Sequence, residues 1–289
     1  MDTDAGGRSP WRALWRHPSG RLGAALLLTL SLTSLGAPWL APADPLATNL
    51  GARLLPPAWM GGGELRRPLG TDELGRDLLS RLLYGGRLSL SSALAAMALA
   101  LLTGGLIGAL AGFLGGVGDA LLMRLMDLLL AFPAILLAVA VVGALGPGLL
   151  HALLAIAVVN VPHYARLLRA SLMEEMAREH VAASRALGSG PLRVLFRSAL
   201  PGALPPLVVQ ASMGAATVVL EAAGLSFLGL GAQPPAPEWG AMLAEGRSLI
   251  LRAPWAAVAP GVAILLASAG FHLVGDALRD LLDPRWRAV

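Results

Sequence analysis

The chain of 289 residues contains no cysteine and no lysine, and only 14% of its residues are charged. The absence of cysteine excludes a disulfide framework and a thiolate metal site. The absence of lysine excludes a P-loop, whose G-x-x-x-x-G-K-[ST] motif places a lysine on the phosphates of ATP. If ATP drives this protein, we therefore expect another chain to hydrolyse it.

The low charge content also indicates where the protein resides. Soluble domains have about 25% charged residues, whereas this chain is 56% hydrophobic, with a mean hydropathy of +0.68. The chain must therefore bury apolar surface in lipid. Its basic residues, all arginine, lie at the ends of apolar runs and in loops, which favours anionic lipid and protein partners over nucleic acid.

Five runs contain no charged residue, and a bilayer span needs about 20 apolar residues. They are Leu22 to Ala43, Leu88 to Gly118, Leu128 to Ala165, Ser198 to Leu220 and Ala253 to Gly275. As one helix the third run would be about 57 Å long, nearly twice the hydrocarbon thickness of about 30 Å. It must fold back, and Gly146-Pro147-Gly148 supplies the break. The sequence predicts an all-α integral membrane protein with six transmembrane helices.

The runs divide the chain into a tail (1–21) with a short interfacial helix starting near Ser9, a first span (22–43), an extracytoplasmic loop (44–87), a five-span core (88–278) and a second tail (279–289). Arginines in both tails predict that both termini are cytoplasmic, by the positive-inside rule. The alternative for the first span is a cleaved signal peptide. Its apolar run exceeds the 7 to 15 residues usual there, which favours an uncleaved anchor.

Two segments predict local packing. Ala96, Ala100, Gly104, Gly108, Gly112 and Gly116 recur every fourth residue and predict close approach to another helix, in a partner or, by default, in this chain. The segment from Gly70 to Arg87 predicts a short helix that Thr71 caps. Within it, Asp72 with Arg76 and Asp77 with Arg81 are spaced as i,i+4 ion pairs.

The cytoplasmic loop 166–201 carries six arginines and three glutamates. The sequence predicts a first helix over 170–187 that ends at Gly188 as its C′ residue. Ser189 is expected to cap a second helix over 192–200, which Pro201 stops. Connectors between neighbouring spans are usually only a few residues long, so a docking surface is favoured over an ordinary connector.

Glu221 follows Pro201 by 20 residues, which predicts a position near the outer membrane face. There it either lines a polar pathway or is an interfacial residue that faces water, and the sequence alone leaves both interpretations open.

Several motifs resemble one family of membrane proteins. The stretch V-A-A-S-R-A-L-G-x9-S-A-L-P resembles the E-A-A-x3-G-x9-I-x-L-P loop of binding-protein-dependent ABC importer permeases. Ala182, Ala183 and Ser184 occupy the E-A-A positions, so the leading glutamate is absent. The stretches P-L-G-T-D-E-L-G-R-D-L-L-S-R-L-L-Y-G, S-F-L-G-L-G-A-Q-P-P-A-P-E-W-G and G-D-A-L-R-D-L-L-D-P-R resemble the second permease subunit of the dipeptide, oligopeptide and nickel subfamily.

The resemblance implies a type I ABC permease fold in the inner or plasma membrane. It implies a second permease subunit, one or two cytoplasmic ATPase subunits that bind ATP and Mg, and an extracytoplasmic solute-binding protein. The chain itself would hold no cofactor or metal and would not be an enzyme. The residues implied to couple to the ATPase are Ala182, Ala183, Ser184, Gly188, Leu200 and Pro201.

Three alternatives remain at this stage. A nickel or metal-chelate importer permease belongs to the same subfamily. An ion-gradient-driven secondary transporter would need buried acidic relays, of which the spans carry few. A membrane-bound enzyme would need a cluster of histidine, cysteine or carboxylate groups, and no such motif is present.

Overall fold

The computed structural model describes residues 17–282, and its regular structure there is helical. Within that range the only strand-like feature is an isolated bridge between Thr71 and Asp77, so the all-α prediction is confirmed. A 3-10 turn covers Leu50–Ala52 and a π-helical segment covers Val194–Ala199. The α-helices are α1 Pro18–Leu35, α2 Ala37–Leu40, α3 Leu78–Leu114, α4 Gly116–Leu130, α5 Ala134–Leu145, α6 Leu149–Met176, α7 Glu179–Ala186, α8 Pro191–Arg193, α9 Leu200–Phe227, α10 Trp239–Arg247 and α11 Trp255–Leu282.

Four helical stretches of the described chain are long and apolar enough to cross a membrane, and the bent pair α4 and α5 makes a fifth. The four are α3, α6, α11 and the stretch Pro191–Phe227. The helix α1 is the remaining candidate for a membrane span. The count of six transmembrane helices therefore stays a prediction. Helix α1 differs from the predicted first span because it begins at Pro18 and ends before Gly36. The interfacial helix predicted near Ser9 lies outside the described residues.

The third apolar run breaks twice. The predicted break at Gly146 to Gly148 is confirmed, and both glycines have positive φ. A second break, which the sequence analysis did not predict, falls between Leu130 and Ala134, where the axis turns by 93°. Pro133 occupies the N-cap of α5 and has no N–H to continue the ladder of α4, which explains the interruption. The run therefore does not continue as one straight helix from Leu128 to the break at Gly146.

The helix α3 is longer than the predicted span. The short helix predicted from Gly70 does not form, because Gly70 and Gly75 have φ of +78° and +72°. Asp77 is the N-cap instead, and its carboxylate accepts a hydrogen bond from Ser80 N at 2.7 Å. Thr71 is buried away from the helix, and its hydroxyl donates to Ala52 O at 2.6 Å. The cap predicted at Thr71 is wrong, and α3 runs without interruption from Leu78 into the span.

The small residues of α3 pack against α6 of the same chain. A Cβ added to Gly104 would lie 2.5 Å from Val161 O, and one added to Gly108 would lie 2.3 Å from Ala165 O. These distances leave no room for a side chain, so the intrachain contact that was the default prediction is confirmed. Gly116 does not belong to this contact, because it follows the end of α3 and no atom lies within 4 Å of an added Cβ.

The remaining helices close the bundle around this pair. At Gly23 of α1 an added Cβ would lie 2.8 Å from Gly270 O of α11, so these two helices also approach through glycine. At the end opposite residues 177–199, α10 covers the bundle. Its Trp239 is fully buried and donates from Nε1 to Leu82 O at 2.9 Å.

Candidate functional site

The loop predicted over 166–201 is shorter in the structure and consists of residues 177–199, called here the 177–199 loop. Helix α6 continues to Met176, so residues 166–176 belong to the bundle. The single helix predicted over 170–187 is wrong. Arg178 has an extended backbone with ψ of 151°, which separates α6 from α7 and lets α7 turn away.

Helix α7 ends as the sequence predicts. Gly188 has φ of +82° and follows the C-cap residue Leu187. Its N–H donates to Arg185 O at 2.9 Å, and the N–H of Ser189 donates to Ser184 O at 3.2 Å. This pair of bonds is the Schellman arrangement, which satisfies the last carbonyls of a helix and needs a left-handed residue at C′. The position predicted for Gly188 is confirmed.

The second half of the loop differs from the prediction. The N-cap of α8 is Gly190 without a side-chain bond, so the predicted cap at Ser189 is wrong. The chain then passes through the π-helical segment into α9, of which Leu200 is the first residue. Pro201 lies within the continuous helical stretch Pro191–Phe227, directly after the π-helical segment. The helix continues through Pro201, so the prediction that it stops the second helix is wrong.

Buried contacts fasten the loop to the bundle. Val181 of α7 and Val194 and Ala199 of the π-helical segment are buried in one cluster with Leu172 of α6. The buried carboxylate of Glu175 forms an ion pair with Arg178 at 3.0 Å and lies 3.5 Å from Nε2 of His180. The hydroxyls of Ser184 and Ser198 lie 3.2 Å apart across the turn. These contacts hold α7 in a fixed position relative to both α6 and α9.

The outward side of this loop carries large apolar side chains among the exposed arginines Arg185, Arg193 and Arg197. The exposed loop face consists of Ala182, Ala183, Leu187, Leu192 and Phe196; the side chain of Leu187 is 87% exposed. A large apolar patch outside a span marks an interaction site. The structure brings the predicted residues Ala182, Ala183, Ser184 and Gly188 together here, and Leu200 and Pro201 follow where α9 begins. Sequence reasoning missed Leu187, Leu192 and Phe196, although bulky apolar residues around the glycine turn were the available signal.

Glu221 is half-buried and faces α6. Its Oε2 accepts a hydrogen bond from Asn160 Nδ2 of α6 at 2.7 Å. Asn160 is the twelfth of the 28 residues of α6, about 17 Å along the axis from Leu149 at 1.5 Å per residue. Glu221 also lies six residues before the end of α9 at Phe227, so the predicted position near the outer face stays a prediction. Sequence reasoning also missed Asn160, the only asparagine in the apolar run from Leu128 to Ala165.

A buried ionic group lies at the end opposite the 177–199 loop. This Arg81 cluster consists of Asp72, Arg76, Arg81 and Glu245. Arg76 donates to Asp72 at 2.6 Å and to Glu245 at 2.8 Å. The side chain of Arg81 is 1% exposed and contacts the same two carboxylates. The predicted pair of Asp72 and Arg76 is confirmed, whereas that of Asp77 and Arg81 is wrong because Asp77 caps α3.

The Arg81 cluster borders a cavity of about 490 Å³ beneath α10. It ties the segment before α3 to α10, elements more than 150 residues apart in sequence. Among residues 17–282 no group of three or more histidine, cysteine or carboxylate side chains has the arrangement of a metal site.

Long apolar helices joined by a loop of short helices define the class of protein as an α-helical integral membrane protein. Residues 104–288 match the family described as binding-protein-dependent transport system inner membrane component. Residues 7–57 match the N-terminal transmembrane domain of oligopeptide transport permease C. The chain belongs to this family of ABC importer permeases, so the predicted family is confirmed.

Named relatives align over nearly the whole chain. The chain is 50% identical to the di/tripeptide transport system permease protein DppC of Pseudomonas aeruginosa over 281 residues, covering 96% of this chain and 93% of that one. It is 44% identical to the dipeptide transport system permease protein DppC of Haemophilus influenzae over 282 residues, covering 96% of each. It is 44% identical to the probable D,D-dipeptide transport system permease protein DdpC of Escherichia coli over 265 residues, covering 91% and 86%.

A solved structure shares the fold. A chain of the MetNI methionine ABC transporter, in an inward-facing conformation, aligns with a TM-score of 0.58 at 21% identity, covering 70% of this chain and 97% of that one. This likeness supports the permease fold.

Proposed function

We propose that this chain is the second permease subunit of an importer for dipeptides and short oligopeptides, and that it forms half of the pathway. The observation that carries the proposal is its 50% identity to a di/tripeptide permease over 96% of the chain. The names of the relatives favour peptides over nickel as the cargo. An ion-gradient-driven transporter has no such relative among those described above.

The other half of the pathway is a different permease subunit, and an extracytoplasmic binding protein delivers the peptide. One or two ATPase subunits bind ATP and Mg and dock on the exposed loop face. Its rigid attachment to α6 and α9 supports this role, because a fixed element transmits a displacement that a mobile linker would absorb. ATP-driven closure of the ATPase pair then shifts the bundle between two conformations.

In this arrangement the 177–199 loop and both termini are cytoplasmic, in the inner or plasma membrane, and the end formed by α10 is outside. The arginine distribution supports this orientation. Leu187 then marks the cytoplasmic side. Leu251, which follows α10 and is 96% exposed, marks the outer side.

Single-cysteine variants test docking and orientation together, since the chain has no cysteine of its own. In the complete importer, Leu187→Cys should cross-link to an ATPase subunit through a short thiol-to-amine reagent. The matched control Leu251→Cys should not, but a membrane-impermeant thiol reagent should label it on intact cells. Cross-linking of the ATPase to Leu251→Cys, or outside labelling of Leu187→Cys, would contradict the proposal.

A further inference from the structure

Glu221 is an acidic residue within a membrane-spanning helix that has no arginine partner among residues 17–282. Its only hydrogen bond in that range comes from the amide of Asn160. The side chain of Asn160 is 91% buried and also donates to Ile156 O at 2.9 Å, so the amide is held in a fixed orientation. The carboxylate of Glu221 therefore accepts a hydrogen bond from one neutral donor, the amide of Asn160.

The carboxylates of α4 have different surroundings. Asp119 pairs with Arg169 and Asp127 pairs with Arg166, both from α6. An acidic side chain within a membrane span is costly, and such residues are normally paired. Asn160 carries no charge to compensate Glu221. A cation that enters from outside the chain would supply the missing charge.

Glu221 also belongs to a stripe of polar and glycine residues, called here the polar stripe, on the part of α9 that borders α6. The stripe consists of Gln210, Gly214, Thr217, Glu221 and Gly224, spaced three or four residues apart and exposed or half-exposed. The opposite side of the helix, with Ala215 and Val219, is buried in the bundle. Lipid contact would favour apolar side chains along an exposed stripe, so this stripe is suited to a water-filled pathway.

An apolar cavity adjoins the carboxylate. Its volume is about 240 Å³. It is walled by Ala134, Ile135 and Ala138 of α5, Ile156 and Val159 of α6, and Leu225 of α9. A carboxylate at the edge of such a cavity suits a ligand with one positive charge next to a small or branched apolar group.

We infer that Glu221, positioned by Asn160, is the counter-charge for the α-ammonium group of a peptide in transit, and that the cavity receives its first side chain. The inference rests on the proposed function, because it takes the cargo to be a peptide. The α-amino group has a pKa of about 7.7–8.0 and is mostly protonated at neutral pH. Every unmodified peptide presents this cation beside its first side chain, which matches the arrangement of carboxylate and cavity.

Uptake of alanyl-alanine by the complete importer in proteoliposomes tests whether transport needs the negative charge of Glu221. Glu221→Gln keeps the shape and removes the charge, and it should lower uptake per ATP hydrolysed by about tenfold or more, the loss of one charge-assisted contact. Glu221→Asp should retain more uptake than Glu221→Gln. The control Leu220→Met, at the next position on the same helix, should match the unaltered importer.

Ala134→Leu tests the cavity. It narrows the space from an exposed position, so uptake of leucyl-alanine should fall more than uptake of glycyl-alanine. Equal effects on the two peptides would overturn the assignment of the cavity.

The outcomes separate the inference from the proposed function. If the unaltered importer moves no dipeptide, the proposed function fails. If it moves alanyl-alanine and Glu221→Gln does so equally well per ATP, the inference is overturned. A variant that loses assembly and ATP hydrolysis together with uptake would also overturn it, because the carboxylate would then be structural or paired with the second permease.

Discussion

At the scale of single residues, Gly188 is the position where conformation rather than contact matters. No atom lies within 4 Å of a Cβ added there, yet its φ is +82°. A substituted residue would therefore have space but would strain the backbone, at a cost of about 1–3 kcal/mol. Release of that strain would move the turn that fixes α7 relative to α8, and with it the exposed loop face.

Gly188→Val should therefore uncouple the importer without preventing assembly. The strain is enough to shift a loop equilibrium about tenfold or more, so uptake per ATP should fall while the variant stays inserted and ATP hydrolysis continues. The matched control is Gly190→Val, because Gly190 has φ of −64° and equal space around it. Both are measured in proteoliposomes that contain the complete importer. Normal coupling in Gly188→Val would contradict the role of the loop.

At the scale of elements, the sequence predicts the features that depend on neighbouring residues and misses those that depend on distant contacts. The breaks at Gly146 to Gly148 and Gly188 follow from residues within a few positions. The start of α3 was missed because Asp77 can either cap a helix or pair with Arg81, and the choice depends on Glu245 far along the chain. The contact of Asn160 with Glu221 and the exposure of Leu187 depend on tertiary packing in the same way.

The contact between α3 and α6 gives a test at this scale. Gly104→Ala places a Cβ 2.5 Å from Val161 O, whereas Gly105→Ala meets only side-chain atoms at 3.7 Å and beyond. The first should destabilise the purified protein by about 1–3 kcal/mol, the usual cost of overpacking. The second should be close to neutral. Thermal unfolding in detergent measures both, and equal melting temperatures would contradict the close approach of the two helices.

The Arg81 cluster gives a second test. Arg81→Gln leaves Asp72 and Glu245 with one buried arginine instead of two, and loss of a partner from a buried ionic group costs about 3–5 kcal/mol. Arg53→Gln removes the ion pair with Glu73, whose side chains are more than half exposed, and should cost about 1 kcal/mol or less. Resistance to denaturant, or the yield of folded protein, should fall for the first variant alone. A similar loss in both would contradict the stabilising role assigned to the cluster.

At the scale of the whole molecule, two surfaces of the chain are suited to contacts with other molecules. The exposed loop face is held rigidly at one end of the bundle, and the polar stripe of α9 is exposed or half-exposed beside α6. Neither is suited to lipid. A subunit that works only within an assembly explains both, with energy entering through the loop and cargo passing along the stripe.

Dipeptide flux into proteoliposomes, with and without the partner subunits, tests this account most directly. We predict that the complete importer takes up alanyl-alanine only when ATP is hydrolysed, and that this chain alone moves none. Flux through the purified chain by itself, or uptake by the importer without ATP, would contradict the account.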